Sequence, residues 1–111
     1  MAAKDSFHYE VTKPPQDQHG DKLTAIKCHG RLTSENTSDF KVLVKSLIAR
    51  GGRIVIDLGD LIYIDSAGLG ALVGLKVSAL NQGNCQLEFV KMTPRILELL
   101  RITRLTRIFS S

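Results

Sequence analysis

Residues 54–74 read Ile54-Val55-Ile56-Asp57-Leu58-Gly59-Asp60-Leu61-Ile62-Tyr63-Ile64-Asp65-Ser66-Ala67-Gly68-Leu69-Gly70-Ala71-Leu72-Val73-Gly74, and the order of residue types within them decides the fold. The β-branched run predicts a strand, Gly59 and Asp60 a short turn, the next apolar run a second strand, and the small residues after Asp65 a helix that opens on Ser66. The first turn of a helix has backbone N–H groups without intrahelical acceptors and carries the positive end of the dipole, so an anion placed there is stabilised. Ser66 is therefore the candidate functional residue, as a carrier of phosphate. Gly68, Gly70 and Gly74 follow it, and each glycine in a helix interior costs about 1 kcal/mol relative to alanine. That cost implies a surface brought close to the backbone, either the protein's own sheet or a partner's.

Working outward, Leu69, Val73, Val77 and Leu80 form the expected buried stripe of this helix, which Gln82-Gly83 ends. Upstream, Phe40, Leu43, Val44, Leu47 and Ile48 follow the i, i+3, i+4, i+7, i+8 spacing of an amphipathic helix, with Thr33 or Ser34 as its N-cap and Gly51-Gly52 as its stop. Ile54, Val55, Ile56 and Leu58 are apolar on both sides of a strand, so that strand is expected to be covered on both faces. Phe7, Tyr9 and Val11 alternate with polar residues. They pair with a strand from Leu23 to His29, ended by Gly30, as a hairpin whose long tip runs from Pro14 to Asp21. Downstream, Cys85, Leu87 and Phe89 alternate as another strand, and Thr93-Pro94 opens a further helix in the N-cap and N1 arrangement. Ile96, Leu97, Leu99 and Leu100 give that helix an apolar side, Arg95, Glu98 and Arg101 can pair on the other, and Leu105, Ile108 and Phe109 close the chain as a turn or strand. The result is one α/β domain over 1–111, with 1–6 a flexible tail, a mixed central sheet of about five strands, an N-terminal hairpin and crossover helices.

Composition narrows the function. At 111 residues, 43% hydrophobic and 23% charged, the chain is an ordinary globular domain with one core. Asp57, Asp60 and Asp65 break its longest apolar run below the ~18 residues of a membrane span. No secretory leader follows Met1, so a cytoplasmic protein is expected. Cys28 and Cys85 lie far apart in strand-like runs and are expected as buried free thiols. Neither they nor His8, His19 and His29 have metal-ligand spacing. No metal or cofactor is called for. The net charge of +4 is a C-terminal property: the first 90 residues balance ten cations against ten anions, while Lys91, Arg95, Arg101, Arg104 and Arg107 face only Glu98. With aromatics at 5%, stacking partners for nucleic acid are lacking. The excess reads first as a solvated helix face, with an acidic partner or a membrane surface as alternatives.

Two enzyme-like readings of the Ser66 region fail. Ile64-Asp65-Ser66-Ala67-Gly68 lacks the first glycine of the Gly-x-Ser-x-Gly elbow, and all three histidines precede the serine, whereas that hydrolase order needs one after it. A phosphoaspartate receiver needs an acidic pair after its first strand to hold magnesium, and Gly30 to Thr33 offers none. Asp57 and Asp65 remain as carboxylates needing partners: Asp57 as a brace for backbone N–H groups, Asp65 as a helix N-cap or as a contact for another protein.

Asp57-Leu58 followed by Ile64-Asp65-Ser66-Ala67-Gly68-Leu69-Gly70 resembles the signature of the STAS-domain family, most closely its free-standing anti-sigma factor antagonists, and the resemblance extends from Leu23 to Phe109. It implies a STAS-like fold and a binding module rather than an enzyme. The implied partner is an anti-sigma factor that is also a serine kinase. It phosphorylates Ser66 with ATP, the unmodified protein binds it and frees a sigma factor, modification abolishes binding, and a serine phosphatase resets Ser66. Asp65, Ser66, Ala67, Gly68, Leu69, Gly70 and Thr33 are the implied partner-binding residues. Other stand-alone members are non-switching scaffold subunits of stress-signalling or lipid-transport complexes, which is the alternative function. Two departures stand out: Gly30-Arg31-Leu32-Thr33 occupies the place of Gly-x-Leu-Asp, removing a carboxylate beside the serine, and Thr103-Arg104-Leu105 the place of Thr-Gly-Leu.

Overall fold

The computed structural model describes residues 7–12 and 23–110; the tail 1–6 and the hairpin tip Pro14 to Asp21 lie outside them. Strand β1 (His8–Thr12) runs antiparallel to β2 (Leu23–Leu32), with His8 opposite His29 and Thr12 opposite Ala25, the hairpin that the alternation predicts. Helix α1 (Thr37–Arg50) buries Phe40, Val44, Leu47 and Ile48. Its N-cap is Asn36 rather than Thr33 or Ser34. Asn36 makes a turn before the helix, accepting from Thr33 N–H at 2.9 Å and donating to the Arg31 carbonyl at 3.0 Å. Gly51, at φ 77°, ends the helix and donates its N–H to the Ile48 carbonyl.

Strand β3 (Gly52–Ile64) lies parallel to both β2 and β4 (Cys85–Val90), giving the order β1-β2-β3-β4. Gly59 and Asp60 do not reverse the chain: β3 is continuous, and the described residues contain four strands, not five. Two bulges replace the expected turn. Lys27 pairs with Asp57 but His29 with Asp60, and Gly30 pairs with Leu61 but Arg31 with Tyr63, so each irregularity inserts one residue into β3. The Asp57 carboxylate accepts from Gly59 N–H at 2.8 Å, holding the first bulge within the strand. Gly30 takes φ 87° at the second one, and β2 continues past it.

Helix α2 (Ser66–Gln82) buries Leu69, Leu72, Leu75 and Ala79, while Val77 and Leu80 are 39% and 50% exposed. The expected stripe through Val73, Val77 and Leu80 is displaced because the helix is apolar nearly all round. One core joins α1 and α2 to Ile26, Cys28, Ile54, Ile56, Leu58 and Leu87 of the sheet. The other side of the sheet carries Lys27, Arg53, Val55, Asp57 and Glu88, half-buried or exposed, so β3 is fully covered on one face only. Arg53 and Glu88 pair there at 3.0 Å.

Helix α3 (Pro94–Ile102) starts as the Thr93-Pro94 pair predicts, with Thr93 Oγ1 accepting from Ile96 N–H at 3.3 Å. The closing segment is helix α4 (Thr106–Ser110), whose Phe109 ring lies 5.0 Å from that of Phe89. Leu105, Ile108 and Phe109 are spaced by three and four residues, which suits one side of a helix. Among the described residues Arg95, Glu98 and Arg101 form no ion pair within 4.0 Å of one another.

Candidate functional site

The site forms where β3 ends and α2 begins. Asp65, in extended conformation, is the N-cap: its Oδ1 accepts from Gly68 N–H at 2.8 Å, and its carbonyl accepts from Leu69 N–H at 2.9 Å. The second carboxylate oxygen accepts from Ser34 N–H at 3.2 Å, and Asp65 N–H donates to the Leu32 carbonyl at 3.3 Å. One aspartate thus joins α2 to the end of β2 and to the segment entering α1. Of the two roles open to Asp65, the structure fills the capping one.

Ser66 is the first residue of α2 and is exposed. Among the described residues its Oγ makes no hydrogen bond. Of the first-turn donors, Asp65 occupies those of Gly68 and Leu69, which leaves the N–H groups of Ser66 and Ala67 at the positive end of the dipole.

The remaining candidates divide by burial. Ala67 and Gly70 are exposed, whereas Gly68 and Leu69 are buried and pack within the protein. A Cβ at Gly68 would lie 2.4 Å from the Leu32 carbonyl oxygen and 2.7 Å from Ile64 Cγ1, which makes Gly68 the place where the helix meets its own sheet. Around Gly70 and Gly74 a Cβ would meet nothing within 4 Å; the fold has no use for glycine at either. Thr33 is half-buried and tied into the turn before α1, its Oγ1 accepting from Glu35 N–H at 3.3 Å.

Sequence reasoning missed the flank of the site. Ile62 is 62% exposed, and beside it Tyr63 lies under the Arg31 guanidinium, 4.7 Å from its ring centroid. The second bulge had broken strand alternation there, leaving two consecutive side chains outward. The depression between Leu61–Ile64 and Thr93–Ile96 holds about 10 Å³, far below the ~300 Å³ or more of small-molecule sites. The surface next to Ser66 suits a protein face better than a metabolite.

Elsewhere the titratable groups are structural. Both cysteines are free and buried; burial foremost, and then the nearby Asp57 carboxylate, push the Cys28 thiol up to about 12, and burial raises Cys85 as well. Lys76 is 4% exposed and donates to the Leu87 carbonyl at 2.6 Å, and burial lowers its pKa. As the one cation in α2 it was visible in the sequence, but nothing there showed it facing inward. Among the described residues no cluster of three metal-ligating side chains forms, and no helix is long and apolar enough to cross a membrane.

Comparison with known proteins agrees with this architecture. The family profile described as "Mlab, STAS domain" matches residues 16–110. The anti-sigma-B factor antagonist of Staphylococcus aureus (strain NCTC 8325) is 33% identical over 86 residues, covering 77% of this chain and 79% of that protein. An anti-sigma factor antagonist from Mycobacterium paratuberculosis superposes with a TM-score of 0.74 at 17% identity, over 98% of this chain and 87% of that one. SpoIIAA, solved unphosphorylated and, from Bacillus, phosphorylated, gives 0.67 in each form at 15% identity, over 92% of this chain and 84% and 86% of those chains. With a match spanning most of its length and the expected strand-to-helix junction in place, the chain belongs to the STAS domain family.

Proposed function

We propose that this protein is an anti-sigma factor antagonist switched by phosphorylation of Ser66. The observation that carries the proposal is Ser66 itself: an exposed hydroxyl at the first position of α2, on a junction held rigid by Asp65. Phosphorylation would add about −1.5 to −2 charges and three acceptor oxygens at that point. The protein's own fold tolerates the change, because two free N–H groups and the helix dipole face it. A protein face docked over Ser66, Ala67 and Gly70 does not, since it must desolvate the phosphate next to the Asp65 carboxylate. The unmodified protein binds an anti-sigma factor that is also a serine kinase, the modified protein releases it, and a serine phosphatase restores binding. The named relatives support this reading, as does a site shaped for a protein surface rather than a substrate. The protein acts as a binding module and not as an enzyme, in the cytoplasm.

Incubation with ATP and a serine kinase anti-sigma factor of the same cell, followed by mass determination of the peptide containing Ser66, tests the proposal. The expected result is one phosphoryl group on Ser66 and none on Ser66→Ala, with Ser66→Asp losing kinase binding and Ser66→Ala retaining it. Equal binding by both variants would instead support the non-switching scaffold reading, toward which the exposed arginines Arg95, Arg101 and Arg104 point as a surface for an acidic partner.

A further inference from the structure

We propose that Ile62 and Tyr63, bordered by Arg31 and Arg95, form a second anchor for the anti-sigma factor kinase, which meets them with carboxylates around an apolar recess. The inference rests on the reading of Ser66 as the place where that kinase docks, and it names what holds the kinase there. Tyr63 lies three residues before Ser66 and Ile62 four. At about 3.5 Å per extended residue, both fall within about 14 Å of the serine. An interface of ordinary size, about 800 Å² on each partner, is wide enough to cover all three.

The fold does not account for the residue types found there. Ile62 is 62% exposed and Tyr63 41%. Single exposed apolar side chains are common, but here two stand together, where the second bulge turns both outward. They adjoin the shallow depression whose other wall is Thr93, Arg95 and Ile96. Arg95 is the second residue of α3, where the positive end of the helix dipole disfavours a cation. It is exposed, and among the described residues it forms no ion pair. Of the exposed arginines Arg95, Arg101 and Arg104, it is the one that lines this depression.

Arg31 forms no ion pair among the described residues either; its guanidinium lies over the Tyr63 ring. The carboxylates nearest to Tyr63 in sequence are already engaged, Asp65 with the N–H groups of Ser34 and Gly68, and Asp60 with Lys27 and His29. Two cations, one from β2 and one from α3, therefore border two apolar side chains without a carboxylate of their own. That arrangement fits a face that brings carboxylates to the arginines and a recess to Ile62. Tyrosine and arginine are the residue types that dominate binding energy, and Tyr63 loses little freedom on docking because Arg31 already covers its ring. The anchor sets affinity and choice of partner, whereas Ser66 sets whether binding is permitted.

Binding of the unmodified full chain to a serine kinase anti-sigma factor of the same cell, followed by surface plasmon resonance at low and high salt, tests the inference. Ile62→Thr keeps the β-branched shape, and Arg95→Glu puts an anion where the helix dipole favours one, so both should unfold in urea no earlier than the parent. Ile62→Thr should weaken binding about tenfold, through faster dissociation. Arg95→Glu should weaken it about tenfold at low salt, through slower association, and the loss should shrink as salt is raised. Either variant binding within about threefold of the parent at low salt overturns the inference, as does a loss in Arg95→Glu that salt leaves unchanged. Ser66→Asp, measured alongside, separates anchor from switch. If it binds as the parent does while Ile62→Thr and Arg95→Glu bind weakly, the anchor stands and the switch falls. If it alone loses binding, the switch stands and the anchor falls, and a parent that binds no such kinase overturns both.

Discussion

Alanine substitution at Gly68, Gly70 and Gly74 makes the same chemical change at three points of one helix and should give opposite results. None of the three has a positive φ, so alanine fits the backbone at each. At Gly70 and Gly74 the new Cβ meets nothing within 4 Å, and each substitution should stabilise the protein by about 1 kcal/mol through helix propensity and a less flexible unfolded chain. At Gly68 the Cβ would sit 2.4 Å from the Leu32 carbonyl oxygen, a backbone atom that cannot rotate aside. Relief requires β2 and α2 to separate, yet that same carbonyl accepts the Asp65 N–H. Overpacking of this kind costs about 3 kcal/mol and loosening of the cap about 1 kcal/mol, against the same helix gain of about 1 kcal/mol. Gly68→Ala should then be less stable than the parent by about 3 kcal/mol, and less stable than Gly70→Ala by about 4 kcal/mol, with the terms taken from overpacking and propensity. Urea unfolding followed by circular dichroism measures this as a lowered midpoint with an unchanged slope. If Gly68→Ala unfolds at the same urea concentration as the parent or at a higher one, the account of the helix–sheet junction is wrong. Binding to the kinase separates the two classes further: Gly70→Ala, though more stable, should weaken it, because the methyl group stands on the exposed face beside Ser66.

Three more substitutions probe particular groups. Arg104 holds φ 61°, a conformation costing an L-residue about 1–2 kcal/mol that glycine avoids, so Arg104→Gly should raise the urea midpoint by the equivalent of about 1 kcal/mol. Asp65→Ala removes the cap of α2 and the acceptor of Ser34 N–H; a loss of about 1–2 kcal/mol is expected, with faster amide exchange at Gly68 and Ser34. Burial lowers the pKa of Lys76 from its ordinary 10.5. Between the lowered value and 10.5 the unfolded chain therefore binds more protons than the native one, and Lys76 makes stability rise with pH across that interval. The buried thiols act in the opposite sense, because raised pKa values make stability fall above their ordinary value of 9.0. The difference between parent and Lys76→Met in pH-dependent urea unfolding isolates the lysine: the parent should gain stability relative to the variant as pH rises, and a constant difference would refute the assignment.

Several parts of this fold were legible in residue order alone. Asp65, Thr93-Pro94 and Gly83 carry their capping chemistry in their own side chains or lack of one, so both ends of α2 and the start of α3 could be placed. The Phe40 to Ile48 stripe was legible because the rest of α1 is polar enough to leave one apolar side. Helix α2 offered no such contrast: Val73, Val77 and Leu80 are as apolar as Leu72, Leu75 and Ala79, and only the position of the sheet selects among them. Asn36 displaced Thr33 as the cap through a turn built on the Arg31 carbonyl, which no local preference encodes. The same holds for the glycines. Gly68, Gly70 and Gly74 look alike in sequence, and their separate roles depend on which one faces the Leu32 carbonyl. In β3, Gly59-Asp60 is good turn chemistry, but the Asp57 side chain satisfied the Gly59 N–H and the pairing with β2 on one side and β4 below it carried the strand onward.

The two extra residues of β3 bear on how such a sequence can vary in length. Ile62 and Tyr63 both face outward between the buried Leu61 and Ile64, so removing Ile62 would erase the second irregularity and leave the one between Lys27 and His29. Side chains in a strand alternate with a period of two, and Leu61, Tyr63 and Ile64 would then alternate inward, outward and inward without a break. Arg31 and Leu32 already pair with Tyr63 and Ile64, so Asp65 would keep its heading toward Ser34 and Gly68. A one-residue deletion at Ile62 should therefore be easier to tolerate than one at Ile64, which would turn Asp65 to the other face and Ser66 with it.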